Sequence, residues 1–247
     1  MITGATSGIG RATAFKLAEA GYSVIITGRR WNLLAELEKQ LLPISKALAL
    51  SFDISNREEV ERSIERLPNE WKNIELLVNN AGLASGLSSI QNGDIDDWEI
   101  MLDTNVKGLL YVTKKVVTNM ISNKKGHIIN ISSIAGKEVY ANGNVYCASK
   151  HAVEALTKAM RIDFLEQNIK VTGIAPGMVQ TEFSLVRFKG NREHAKNVYD
   201  GIESLKADDV AEVILFAATR PAHVNLNDIV IMPTAQASAT VVNRKKK

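Results

Sequence analysis

Cysteine is nearly absent. Cys147 is the single one in 247 residues, so no disulfide can form within the chain, as suits a reducing cytoplasm. Four histidines, at 127, 151, 194 and 223, lack metal-ligand spacing, and one thiol leaves little to build a zinc centre from. No metal is expected. No apolar run approaches the ~20 residues that span a bilayer, and no signal peptide is expected, since the first residues run straight into a glycine motif. Charge of one sign is scarce too: the formal balance is +3, and without Arg244, Lys245, Lys246 and Lys247 it becomes −1. A basic tail at 244–247 can meet nucleic acid or anionic lipid, but without interleaved aromatics its plainer reading is a solvated tail. Neither nucleic acid nor membrane is an expected partner.

What is present is an ordinary globular mixture, 45% hydrophobic and 23% charged, long enough for one large core. Short apolar runs at 23–27, 47–52, 75–78, 127–131, 170–174 and 229–232 read as strands covered on both faces. Helical patterns lie between them. In the first, Gly10, Ala14, Leu17 and Ala18 recur at steps of three and four, and Gly21 is placed to close the helix. Ser55 to Glu58 reads as a capping box opening a later helix. Regular strand–helix alternation implies right-handed crossovers, hence a single α/β domain over 1–247: a doubly wound parallel sheet of the Rossmann type, in three layers. Ligands of such a sheet bind beyond the carboxyl ends of its strands.

Thr3-Gly4-Ala5-Thr6-Ser7-Gly8-Ile9-Gly10 joins the end of a first strand to the first helix. The expected strand has only residues 1–3 before Gly4, which raises the expectation of a natural start further upstream. The three glycines permit a tight turn and close approach of backbone to a pyrophosphate, with free N–H groups at the helix start. After the second run, a fold that prefers NAD carries an acid for the ribose 2′-hydroxyl. Here stand Gly28, Arg29 and Arg30. A guanidinium fork binds a 2′-phosphate and a carboxylate repels it, so the cofactor expected is NADP; the plainer reading is two surface arginines. Asp53 is placed to accept from the adenine amino group, with Ile54 packing nearby; the plainer reading of either is loop structure, and for Asp53 the functional reading is favoured.

Tyr146 and Lys150 form Y-x-x-x-K, one helical turn apart and on one face. Alone that pair is commonplace. Ser133 precedes the tyrosine by thirteen positions, with Ser132 as its rival, and Asn105 lies in Thr104-Asn105-Val106-Lys107-Gly108. Together with the glycine motif, the set Asn105, Ser133, Tyr146 and Lys150 resembles the catalytic tetrad of the short-chain dehydrogenase/reductase family, and the resemblance covers essentially the whole chain. It implies an oxidoreductase in which Tyr146 exchanges a proton with a substrate hydroxyl and Ser133 bonds the substrate oxygen. Lys150 would bond the nicotinamide ribose, and Asn105 would hold a water that links Lys150 to solvent. A phenol serves near neutral pH only if its pKa falls from about 10; three units require roughly 4 kcal/mol of preferential stabilisation of phenolate. Lys150 and an oxidised nicotinamide are the expected sources.

By the same resemblance, in Asn79-Asn80-Ala81-Gly82 the first asparagine supports the sheet, while Asn80, Ala81 and Gly82 border the cofactor. Pro176, Gly177, Val179 and Thr181 clasp the nicotinamide end. Residues 184–205, polar and irregular, are placed to act as a lid. Gly28-Arg29-Arg30, Glu70-Trp71, Ala81-Gly82-Leu83-Ala84, Val186-Arg187-Phe188-Lys189-Gly190 and Pro221-Ala222-His223-Val224-Asn225 resemble the NADP-dependent 3-hydroxy acid dehydrogenase branch. That branch oxidises serine and allo-threonine and reduces malonic semialdehyde. Arg187 is the candidate anchor for a substrate carboxylate; a salt bridge or subunit contact is its rival reading. Tyr140 reads as a pocket wall and Cys147 as a packed small side chain. The resemblance also suggests a homotetramer. Two other functions stand beside this one: a 3-oxoacyl carrier-protein reductase with the same catalytic residues, and a non-catalytic NADP-sensing protein, against which the intact Tyr146 and Lys150 speak.

Overall fold

The computed structural model describes residues 1–245; Lys246 and Lys247 of the expected basic tail lie outside them. In chain order the elements begin α1 (Gly8–Glu19), β1 (Val24–Gly28), α2 (Trp31–Leu41), β2 (Ala47–Ser51), α3 (Arg57–Glu65) and β3 (Leu76–Asn79). They continue α4 (Ile95–Leu102), α5 (Leu109–Asn123), β4 (Gly126–Ile131), α6 (Asn144–Asp163) and β5 (Ile169–Pro176). α7 (Phe183–Arg187), α8 (Arg192–Asn197), α9 (Ala207–Ala218) and β6 (Asp228–Ile231) complete the order.

Strands apolar on both parities divide their side chains between two cores, because successive residues face opposite sides of a sheet. Ile26, Val78, Ile129, Ile131 and Ile174 pack with α1, α2 and α9 through Ala14, Leu17, Leu34, Leu37, Val210 and Ile214. Their neighbours Ile25, Leu77, Ile128 and Val171 pack with α3, α5 and α6 through Val60, Ile64, Val112, Val116, Val153 and Met160. Three layers follow. Each enclosed Ile or Leu stabilises the fold by roughly 1.5–3 kcal/mol relative to exposure.

β1 pairs with β2, and β3, β4, β5 and β6 follow one another, every pair parallel. Residues 1–3 join the two groups: Ile2 bridges to Ile26 on one side and Val78 on the other. The winding therefore reverses on either side of residues 1–3, and Gly4 leaves the sheet at that switch point, where an α/β fold places its ligand.

Two local readings are corrected. The cap of α3 is Asn56, whose side chain accepts from the Glu59 N–H at 3.2 Å. Ser55 is instead bound to Asp53, whose carboxylate takes both its N–H and its hydroxyl at 2.9 and 2.7 Å. Arg244 does not hang free in solvent, because its guanidinium donates to the carbonyls of Val198 and Asp200. Gly21 does close α1, with φ +87° and its N–H on the Ala18 carbonyl at 2.9 Å. His127 is a neutral core histidine: burial pushes it down to about 3, and Nε2 meets Thr172 at 2.8 Å. Among the described residues no helix is long and apolar enough to cross a membrane.

Candidate active site

A cleft of about 530 Å³ runs along the carboxyl ends of the strands, from Arg29 and Asp53 at one end to Tyr146 and Arg187 at the other. Its floor is the glycine turn. Gly4 has φ +65°, and a Cβ there would stand 2.8 Å from the Ala81 Cα. Gly10 serves packing rather than ligand approach: its Cβ would meet the Gly4 carbonyl oxygen at 2.4 Å and Asn80 Nδ2 at 2.5 Å. Asn80 in turn donates to the Thr3 and Gly4 carbonyls at 2.9 and 3.2 Å, while the Thr3 hydroxyl accepts from the Asn80 and Ala81 N–H groups. Asn79 points the other way and ties β3 to α5 and β4 through Thr113 and Asn130.

Ser7 caps α1 without a side-chain hydrogen bond, and the first turn has no acid. The N–H groups of this twelve-residue helix start beside Gly8 and Ile9 at the cleft wall, where the helix end favours negative charge. Such an uncapped end suits a pyrophosphate. Arg30 is committed to the same turn, donating to Thr6 at 2.8 Å, Ser7 at 3.1 Å and Glu182 at 3.1 Å. Arg29 is freer, with a 61% exposed side chain and one long contact of 3.5 Å to Asp53. The two arginines are thus not equivalent. Burial opposes ionisation of Asp53, but two hydrogen bonds from Ser55 and the nearby Arg29 hold its carboxyl below the usual range. Ile54 lies buried against Gly108 and borders the cleft.

The reacting end gathers side chains from four segments. β4 delivers Ser132 and Ser133, and both border the cleft; Ser132 is buried under α6, 3.5 Å from the Lys150 carbonyl, and Ser133 hydrogen-bonds Tyr146. Lys150 is buried one turn below Tyr146, with Nζ on the Ile131 carbonyl at 3.0 Å. Burial brings it down to about 8, against a raising influence from Glu154 one turn further on. Asn105 sits in a π-helical turn, Asp103–Gly108, between α4 and α5. Its amide is held on both sides by the Leu83 backbone at 2.8 Å and by Ser149 at 3.0 Å. Its hydrogen bonds do not include Lys150. Both lie against Gly82, whose Cβ would stand 3.1 Å from Asn105 Oδ1 and 3.4 Å from Lys150 Nζ.

The expected lowering of the tyrosine is not found in the protein alone. Burial pushes Tyr146 up to about 12, and the opposing influences are the Arg187 charge and the Ser133 hydrogen bond. Lys150 is not among them, its ammonium being turned to the Ile131 carbonyl. Arg187, carried by α7, lies with its guanidinium carbon 4.8 Å from the Tyr146 ring centre, and its Nη2 donates to the Tyr140 hydroxyl at 2.6 Å. Its Nε is buried without a partner. Tyr140 borders the cleft, as expected of a wall, and Cys147 is buried.

The fourth side follows β5. Pro176 ends the strand, Gly177 bonds the Ile231 carbonyl, and Val179 bridges to Leu205 while accepting from the Tyr199 hydroxyl. Thr181 lies across from Gly8, 3.2 Å from where a Cβ would stand. Residues not anticipated from sequence are Phe183, with its ring 5.5 Å from that of Tyr146, and Gln236, which holds the Met178 N–H at 2.8 Å. Glu154 was legible in principle, standing four positions after Lys150 on one helix face. It is bound by Lys137 at 2.6 Å, which also reaches Asp228 at 2.5 Å.

The sequence profile described as short chain dehydrogenase matches residues 1–191. This chain belongs to that family. It is 43% identical over 240 residues to the NADP-dependent 3-hydroxy acid dehydrogenase of Salmonella typhi, covering 97% of this chain and 96% of that one. It is 43% identical over 246 residues to sulfoacetaldehyde reductase 2 of Chromohalobacter salexigens, covering 99% and 98%. Among solved structures, the closed form of a serine dehydrogenase complexed with NADP+ superposes with a TM-score of 0.93 at 42% identity, covering 99% and 98%.

Proposed function

We propose that this short-chain dehydrogenase transfers hydride between NADP and a small 3-hydroxy acid of the serine, allo-threonine or 3-hydroxypropionate type. The observation that carries this is Arg187: a guanidinium beside the reacting tyrosine with a buried, unpartnered Nε and no protein carboxylate within ion-pair distance among the described residues. An anionic substrate completes its bonding, and a carboxylate does so bidentately. The similar proteins are named for substrates that carry an acid group, a 3-hydroxy acid, serine and sulfoacetaldehyde.

In this reading the uncapped start of α1, with Gly4, Thr6, Ser7, Gly8 and Ile9, holds the pyrophosphate, while Arg29 takes the 2′-phosphate and Arg30 braces the turn. Asp53 and Ile54 receive the adenine. Asn80, Ala81 and Gly82 line the ribose path, and Pro176, Gly177, Val179 and Thr181 the nicotinamide end. The cofactor accepts or gives the hydride and, when oxidised, adds a positive charge near Tyr146. The protein moves the proton: Tyr146 takes it from the substrate hydroxyl, Ser133 steadies the substrate oxygen, and Lys150 bonds the nicotinamide ribose. Asn105 fixes the 82–84 loop over Lys150 and leads to solvent through water. Residues 184–205 serve as a lid, since Val186, Val198 and Tyr199 border the cleft. A cytoplasmic homotetramer is the assembly proposed, supported by exposed apolar side chains, Ile95 and Ile100 on α4, Phe216 on α9 and Val230 on β6; sedimentation showing a monomer would remove it.

An NADP-coupled panel tests the reading. The enzyme should turn over 3-hydroxy acids far better than uncharged alcohols of equal length, and Arg187→Met should raise KM for the acids about 10- to 100-fold with little change for the alcohols. Equal effects on both classes would remove the anchor. Faster reduction of an acyl thioester than of malonic semialdehyde would favour the carrier-protein reductase instead.

A further inference from the structure

The cations of the cleft differ in one respect. Arg29 and Arg30 face Asp53 and Glu182, and Lys150 has Glu154 one turn away. Among the described residues Arg187 has only the neutral Tyr140 hydroxyl and the faces of three rings, those of Tyr146 at 4.8 Å, Phe183 at 5.4 Å and Tyr140 at 5.7 Å. Its charge is therefore uncompensated and lies over the ring of the tyrosine that exchanges the proton. The segment is held there: the Arg187 carbonyl accepts from the Gly86 N–H at 3.0 Å, and Lys189 pairs with Asp97 at 3.0 Å.

The groups that face Tyr146 are Arg187 from α7, Ser133 from the turn after β4, Tyr140 from the loop before α6, and Cys147 on its own helix. Lys150 lies a turn below, directed at Ile131. Of these, Arg187 alone both bears a full charge on the tyrosine and stands where a substrate anion would bind. An anion seated on the guanidinium cancels its field at the ring.

We propose that Arg187 couples the charge of the substrate to the proton state of Tyr146: an anionic substrate keeps the phenol protonated, and an uncharged one leaves it freer to ionise. This rests on the reading of Arg187 as the anion anchor. In oxidation the substrate C–H and O–H bonds break; hydride leaves to oxidised NADP and the proton passes to the phenolate oxygen of Tyr146. In reduction hydride comes from NADPH and the phenol supplies the proton. An anion thus biases the site toward the proton-donating form, and so toward reduction of anionic aldehydes.

The test is the pH dependence of hydride transfer at saturating substrate, followed by NADPH absorbance in stopped flow, with 3-hydroxypropanoate and its methyl ester. The rising limb of oxidation should have its midpoint about one pH unit higher with the acid than with the ester. The kcat/KM profiles, which report the free enzyme, should coincide. In Arg187→Met the ester's midpoint should rise toward that of the acid on the unaltered enzyme. Coincident midpoints on the unaltered enzyme, or an ester midpoint unmoved by Arg187→Met, would overturn the coupling. A selective KM rise for the acid in that variant, with coincident midpoints, would sink the coupling and leave the anchor standing.

Discussion

At the glycine end of the cleft the surface is made of backbone and short side chains fixed at strand ends, while at the Arg187 end it is made of long side chains carried on short helices. The first end is over-determined. Gly4, Gly10, Asn80 and Thr3 lock one another within hydrogen-bond or contact distance, so any sequence that builds this turn must spell it in nearly the same letters. The second end depends on where α7 comes to rest, through Gly86, Asp97 and Tyr140. Here side chains can change without disturbing the fold. A rigid cofactor seat beside an adjustable substrate wall lets one scaffold serve many alcohols.

Two substitutions sharpen that contrast. Arg29→Asp, at the rigid end, should weaken NADPH binding by about 100-fold or more, because a lost charge-assisted contact is joined by repulsion of the 2′-phosphate. Fluorescence titration reads it, and NADH binding should hardly change. Unchanged NADPH affinity would mean that the cofactor end is not set by these arginines. Glu154→Gln, behind the reacting end, should have a smaller effect. Burial already brings Lys150 down to about 8, and Glu154 is the influence that raises it. Without that carboxylate the ammonium loses its proton at lower pH, so the alkaline fall in reduction rate should move down by about half a unit. A limb that stays in place would separate Glu154 from Lys150.

The same contrast explains what could be read in advance. Strand–helix alternation and the run from Thr3 to Gly10 gave the sheet and the cofactor crevice, because parallel sheets and tight glycine turns leave few sequence choices. The spacing of Ser133, Tyr146 and Lys150 was legible for a related reason: one strand end and one helix face hold all three. Less came through where partners are distant. Neither the crosslink of Arg30 to Glu182 nor the stacking of Arg187 over Tyr146 has a local signature. The cap of α3 fell one residue away from its expected place because Asp53 claims Ser55. The setting of the tyrosine in the protein without cofactor has no local signature either. Burial dominates it, and the cation that counters burial sits on α7, forty-one positions along the chain, and not on α6.

The most direct measurement is hydride transfer by Tyr146→Phe, set against its affinity for NADPH. A phenol that carries the proton predicts a fall of about 10²- to 10⁴-fold in the transfer rate with cofactor affinity within a few-fold of the unaltered enzyme. A transfer rate within tenfold of the original, at undiminished cofactor affinity, would contradict it.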